Sequence, residues 1–535
     1  MVTISGQATY DFVPTTQFNG LNYAATDSTR PLRLATVQFV DGNTVLAATR
    51  TTQTGDYSLA VDQNQSGFIR IRAESVETGS PSWSFRVVDN TSADAIYTLD
   101  GAVASSGTAD SQRNLHAPSG WTGAGYGDPR AAAPFAILDT ILIGGEYVAT
   151  ADPTIDFPAL DIHWSENNMP ALDANGNVDL VSGEIGTSQY ISSEGLFLLG
   201  AEDSDTEEYD RHVVLHEFGH YLEFRLTRSD SIGGPHALGD RVDMRVAFSE
   251  GWATALAGLA LSNPFYADTQ GALQASGFGF NMESRGNNAP GWYSEQSVQE
   301  IIYDLVDLNF DGNDIFTYSF ATVWSAIIGP LASTPALTSI FPFLNAIKTA
   351  NSGDEAALDQ LAADQSIDSV STDFGGGETN NAGDNNDVLP IYADLVVNNP
   401  VPVNLCSIDS FSSGITGSTN KLSSRRFVRF MPPVAGNVTI TMTATTIPNP
   451  EYADPDFIIH RQGPFAISEN PPSDACTNTG DAGWTESNCV ESAITTLPAQ
   501  EHILEVYEWS NTNAADDPLR PPIGRTCFDV TVTQP

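Results

Sequence analysis

The stretch EYDRHVVLHEFGHYLEFRL, Glu208 to Leu226, decides how the rest of the chain is read. Val214, Leu215, Phe218, Leu222 and Leu226 recur near helical spacing, which predicts a helix with one buried stripe. His216 and His220 stand one turn apart, so both imidazoles project from the same helical face. Their nitrogens can then reach a single metal ion at about 2.0–2.1 Å. Glu217, next to the first histidine, is placed to face a water on that metal rather than the metal itself. The ordinary alternative is two histidines sharing a half-buried helix by coincidence, and with 8 histidines in 535 residues that coincidence is rare.

A zinc ion lowers the pKa of a bound water from about 15.7 to about 7, and a carboxylate beside it can take the proton and pass it to a leaving amine. Catalytic zinc needs a third protein ligand and an open position. The segment AFSEGWATALAGLAL, Ala247 to Leu261, offers Glu250 in what reads as the first turn of a helix rich in Ala and Gly. The competing reading of Glu250 is a carboxylate stabilised by a helix N-terminus.

HEFGH followed at a distance by SEGWA resembles the gluzincin peptidases, and the Glu-Gly-Trp triplet, with Gly233-Gly234-Pro235 between, most resembles the fungalysin branch beside thermolysin. The resemblance covers Asp203 to Leu261 and implies His216, His220 and Glu250 as zinc ligands with Glu217 as catalytic base. It departs from the thermolysin pattern at two points. Where those enzymes carry an Asp that holds a zinc histidine, this chain has Thr254, so Thr254, Asp240 or Asp243 is expected behind the ligands. The interval from His220 to Glu250 is also longer, and its insertion SDSIGGPHALGDRVDMR is expected to line the site. The family stabilises the oxyanion with a Tyr or His outside the motif, for which His236, Tyr293, Tyr303 and Tyr392 are candidates. His212 lacks a following glutamate and reads as a helix-face residue or as one that supports the ligands from behind.

DIHWS, Asp161 to Ser165, and GLFLLG, Gly195 to Gly200, read as strands. The second is a candidate sheet edge to which an extended peptide substrate adds, which implies an endopeptidase. Phe280-Asn281-Met282-Glu283-Ser284 falls after the zinc helix rather than before it, unlike the corresponding motif of aminopeptidases in a related branch. RAAAPFAILDTILIGG, Arg130 to Gly145, predicts a helix stopped by Gly-Gly that opens the central domain.

Outside the centre, alternating runs such as ATVQFV, YSLAV and FIRIRAE predict a β-sandwich over residues 1–90, which resembles the carboxypeptidase regulatory-like domain. Residues 91–125 read as a linker. RRFVRFMP, NVTITMTA, DFIIHR, HILEVYEW and CFDVTVT predict a second sandwich over 399–535, resembling the bacterial pre-peptidase C-terminal domain. The expected architecture is multidomain: an α+β thermolysin-like metallopeptidase core over 126–398 flanked by two all-β sandwiches.

Cys406, Cys476, Cys489 and Cys527 all lie in the last quarter of the chain and predict two disulfides, preferably Cys406–Cys527 and Cys476–Cys489. The chain begins MVTISGQATYDF, without a basic and apolar leader, which suggests a secreted mature form. A net charge of −45 argues against nucleic acid and anionic membrane surfaces as partners, and no run is apolar enough to span a bilayer. A monomer is expected. DLNFDGND matches the start of a calcium loop through Asp307, Asn309 and Asp311, but position twelve is Tyr318. DANGNVD, Asp173 to Asp179, and ETNNAGDNND, Glu378 to Asp387, are weaker calcium candidates. The sequence thus points to a secreted zinc endopeptidase. The alternative is an extracellular binding or adhesion protein on the same scaffold, against which an intact Glu217 argues.

Overall fold

The computed structural model describes the chain except for residues 17–19, 26–28, 128, 175, 284–288, 310–314, 369–371, 384, 410–418, 449–452, 461–467, 470–489 and 513–521, and the side chains of 468–469. The chain falls into two compact units, Met1–Leu226 with Ala253–Glu283, and Thr227–Trp252 with Ser284–Pro535. The division passes through a single unbroken helix, Met244–Leu261.

In the first unit the strand Val2–Asp11 alternates buried and outward-facing residues, as a half-buried strand requires. It pairs antiparallel with Asp56–Val61 and Thr29–Pro31. Facing it, Thr36–Asp41 lies between Thr44–Arg50 and Ser66–Arg72. The expected linker does not exist as one. Ser111–Gln112 and Leu115–Ala117 pair parallel with Val2–Asp11, while Thr98–Asp100 and Ala104–Ser105 pair with Ser66–Arg72. Short polar strands that complete a sheet carry the same Ser, Thr and Asp as a linker, so composition misled.

The boundary near residue 90 also moves. Ser82–Asp89 pairs parallel with Leu160–Trp164, in a sheet ordered Gln189–Ile191, Gly195–Leu198, Leu160–Trp164, Ser82–Asp89, Glu74–Thr78. Gly195–Leu198 is therefore flanked on both sides and is not the sheet edge expected of it; all four of its residues are buried. The edge is the three-residue strand Gln189–Ile191.

Two helices pack on this sheet. Helix α1, Ala133–Ala151, has a proline in its first turn, where no backbone hydrogen bond is lost. It runs through Gly144 and Gly145 rather than stopping there. A Cβ on Gly144 would stand 2.7 Å from Leu215 Cδ2 and 2.9 Å from Phe218 Cδ1, so this glycine serves the approach of the second helix. That helix, α2, spans Arg211–Leu226, with Val214, Leu215, Phe218, Tyr221 and Leu222 buried. Helix α3, Met244–Leu261, meets α2 closely at Gly219, where a Cβ would lie 2.7 Å from the Ala253 Cα.

In the second unit, helix α4, Glu295–Asp304, is capped by Ser294. The C-terminal sandwich sets Tyr392–Asp394, Arg425–Phe430, His502–Glu508 and Pro455–His460 in one sheet against Val403–Ser407, Thr526–Thr533, Gly436–Thr446 and Val490–Leu497 in the other. Phe430, Ile440, Phe457, Val506 and Phe528 fill the space between them. Tyr392–Asp394 belongs to this sheet, so the sandwich begins before residue 399. Cys406 and Cys527 face each other across paired strands and form a disulfide. The Cys476–Cys489 pairing lies outside the described residues. No helix among the described residues is long and apolar enough to cross a membrane.

Candidate metal centre

Helix α2 presents His216 and His220 on one face, with their Nε2 atoms 3.2 Å apart and their rings nearly perpendicular at 86°. Two nitrogens held at about 2.0–2.1 Å by one tetrahedral ion stand about 3.3 Å from each other. The orientation of His216 is set from behind: its Nδ1 lies 3.0 Å from the Thr254 hydroxyl oxygen. An Nδ1–H donated to that oxygen leaves the Nε2 lone pair for a metal. Of the three candidates for this supporting role, Thr254 is the one the structure places there. Asp240 instead pairs with Lys421 at 3.1 Å, and Asp243 with Arg245 at 2.8 Å. Behind His220, Nδ1 faces the Glu223 carboxylate at 4.0 Å. Glu223 is i+3 from His220, a spacing that the sequence itself carries.

Glu250 lies one turn before Thr254 on α3. One ligand atom from each of His216, His220 and Glu250 falls within 4.8 Å of the other two. Because α3 begins at Met244, Glu250 occupies the second turn, not the first as the sequence suggested. It is thus past the free backbone N–H groups that would account for it as an N-terminal carboxylate. Glu217, rotated about 100° from His216 around α2, is largely buried. Tyr266, which the sequence gave no reason to single out, sets its ring edge-on to His216 with centroids 6.4 Å apart. Burial, and then the charges of Asp268, Glu207 and Glu217, push its hydroxyl well above the ordinary tyrosine range.

The insertion between α2 and α3 does carry a residue to Glu250. His236 Nε2 stands 3.5 Å from Glu250 Oε2 and 3.4 Å from Glu295 Oε2, the latter in the first turn of α4. Sequence reasoning missed Glu295 because only the tertiary fold brings α4 beside the insertion. The insertion is tied down by the segment leading into the C-terminal sandwich. Asn420 Nδ2 donates to the Gly233 carbonyl at 2.9 Å and Lys421 Nζ to the Pro235 carbonyl at 2.8 Å. The backbone N–H of Leu422 donates to the Arg241 carbonyl at 3.0 Å, and that of Asp243 to the Asn420 carbonyl at 2.8 Å. Lys421, one of only two lysines in the chain, is 1% exposed. Arg245, at the start of α3, is buried against Glu505 of the sandwich at 2.8 Å.

The other candidates have the following partners and surroundings. The Tyr293 hydroxyl donates to Asn380 Oδ1 at 3.2 Å, and the Tyr392 hydroxyl accepts the Leu337 N–H at 3.0 Å. Tyr303 is buried in α4, eight residues and so about 12 Å along the axis from Glu295. His212 Nε2 lies 3.1 Å from the Asn263 carbonyl, and burial pushes its pKa down to about 4. Asp307 accepts the N–H of Asn309 at 2.9 Å; Asp311 and its neighbours lie outside the described residues. Asp173 closes a turn by accepting the Asn177 N–H at 2.9 Å. Asp387 is held by Arg525 at 2.6 Å, and Glu378 accepts the backbone N–H of Asn380 at 2.7 Å.

No family model matches the chain, and no curated protein matches it. Among solved structures, it is similar to the pre-peptidase C-terminal domain of a collagenase from Bacillus anthracis, at 9% identity over 26% of this chain and 93% of that one, with a TM-score of 0.14. A 9R-lipoxygenase from Cyanothece is similar at 12% identity over 28% of this chain and 25% of that one, with a TM-score of 0.13. A cycloisomaltooligosaccharide glucanotransferase from Paenibacillus covers 98% of this chain and 72% of its own at 9% identity, also with a TM-score of 0.13. Likenesses at these scores carry no argument about the activity.

Proposed function

We propose that the chain is a secreted zinc-dependent endopeptidase, with His216, His220 and Glu250 as metal ligands. The observation that carries this reading is the 3.2 Å approach of the two Nε2 atoms, with Thr254 holding the far nitrogen of His216. Two imidazoles and a carboxylate are a donor set suited to zinc, and three protein ligands leave a fourth position open. Bound zinc supplies Lewis acidity that polarises the scissile carbonyl and acidifies the attacking water. Glu217 accepts the water's proton and returns it to the leaving amine. His236 stands beside Glu250, where an N–H can orient that carboxylate or donate to the developing oxyanion. A peptide adding as a strand to the sheet beneath α2 pairs with its edge, Gln189–Ile191, rather than with Gly195–Leu198. The Cys406–Cys527 disulfide supports an oxidising, extracellular setting.

The test is a library of peptides blocked at both termini, incubated with the zinc-loaded wild type and with Glu217→Gln. Internal cleavage by the wild type alone is expected. Equal zinc in both proteins with no cleavage by either contradicts the peptidase reading and favours a binding protein on this scaffold.

A further inference from the structure

A second cluster of ligating side chains sits in the first unit, on the small sheet formed by Gly200–Ala201, Asp205–Thr206, Phe265–Gln270 and Ser276–Asn281. Asp205 and Glu207 are two residues apart on an extended segment, so they project to the same side. Asp205 is paired across the ladder with Gln270, which brings Asp268 to its diagonal. One carboxylate oxygen from each of Asp205, Glu207 and Asp268 lies within 4.8 Å of the other two.

The cluster is more than three acids on a surface. Glu207 is 2% exposed, its Oε1 accepts the Ser188 hydroxyl at 3.0 Å, and its buried Oε2 has no hydrogen-bond partner. Asp205 Oδ1 is likewise buried without a partner. Asp210, fully buried just beyond, spends Oδ2 on the N–H and hydroxyl of Thr269, both at 2.7 Å, and leaves Oδ1 unpartnered. No arginine, lysine or histidine pairs with Asp205, Glu207 or Asp268 among the described ion pairs; Arg130 is taken by Glu208, and Arg211, the cation nearest in sequence, lies over the Phe12 ring. Buried carboxylate oxygens left without donors are costly unless a cation meets them.

We infer that Asp205, Glu207 and Asp268 bind a calcium ion, at a site distinct from the histidine centre and independent of the peptidase reading. Calcium takes six to eight oxygens at about 2.3–2.6 Å, so oxygens on opposite sides of one ion stand about 4.6–5.2 Å apart. The spacing fits. The absence of nitrogen or sulfur donors selects a hard cation over zinc. Asp205 and Asp268 are only partly buried, which gives the ion a path in and room for water ligands. The ion would tie the chain entering α2 to the strand that follows α3.

The experiment is calorimetric titration of calcium, and separately magnesium, into the full zinc-loaded chain cleared of other divalent ions. The same titrations follow for Glu207→Gln, which keeps the acceptor for Ser188, and for the more exposed Asp268→Asn, with melting curves for each. The wild type is expected to bind one calcium in preference to magnesium and to melt at a higher temperature with calcium. Each variant is expected to bind at least tenfold more weakly and lose most of that rise. Without calcium, Glu207→Gln should melt no lower than the wild type, because it removes a buried charge. No calcium binding by the wild type at millimolar concentration, magnesium bound equally well, or undiminished binding by Asp268→Asn overturns the assignment.

Discussion

The two trios, His216–His220–Glu250 and Asp205–Glu207–Asp268, meet the same geometric criterion, each offering three ligand atoms within 4.8 Å. They differ in how they are built. Two of the first trio's members come from a single helical turn, and a hydroxyl behind His216 Nδ1 turns its Nε2 toward His220. The second is assembled by strand pairing, is all oxygen, and leaves Glu207 Oε2 and Asp205 Oδ1 without donors. On the two proposals made above, donor chemistry rather than proximity would separate a site for a borderline metal that activates water from a site for a hard cation that ties segments together.

The comparison breaks most visibly at His216. His216→Ala should lose bound zinc and all peptidase activity while keeping the calcium-dependent rise in melting temperature. Metal analysis and melting curves on one preparation check both halves. Glu217→Gln should separate binding from chemistry within the first trio, with zinc retained and kcat/KM down by about 10²–10⁴-fold.

A third buried carboxylate sharpens the contrast. Burial opposes the charge of Glu505, yet the guanidinium groups of Arg245 and Arg425 and the ring of His460 outweigh it and hold this carboxyl well below its ordinary range. The folded state therefore favours the ionised form. Its stabilisation is fully present above the unfolded carboxyl pKa of about 4.3 and is lost as pH falls through the lower folded value. Glu505→Gln should cost about 3–5 kcal/mol at neutral pH by leaving buried charge unmatched. It should also flatten the acid limb of a stability–pH curve measured by urea unfolding. The smallest effect is expected at Thr254→Val, which removes the acceptor for His216 Nδ1. Zinc affinity should fall by about 10- to 100-fold, read by competition with a chelator, and Thr254→Asp should recover it.

What the sequence disclosed follows the same divide. His216, Glu217 and His220 were legible because helical periodicity is local and the three lie within little more than one turn, whereas Glu250, on another helix, was legible from the SEGWA segment and the resemblance it carries. Thr254 was legible as a position but not as a partner, since three side chains competed for the role. Glu295 beside His236, and Asp268 beside Asp205, were not legible, because each contact joins elements whose pairing no local pattern encodes. Gly144-Gly145 read as a stop because glycine ends helices as readily as it lets two helices touch. Residues 91–125 read as a linker because two- and three-residue strands have too little alternation to register. The C-terminal sandwich was expected as a flanking domain, yet Asn420 and Lys421 beside it hold the loop that carries His236. Only the structure relates them.

The most direct test of the account is the metal itself. X-ray absorption at the zinc edge of the purified chain, with zinc content measured on the same sample, should give one zinc per chain bound by two imidazole nitrogens and oxygen at about 2.0–2.2 Å. His220→Ala should abolish that signature. A chain that takes up no zinc, or whose zinc spectrum is unchanged in His220→Ala, contradicts the account.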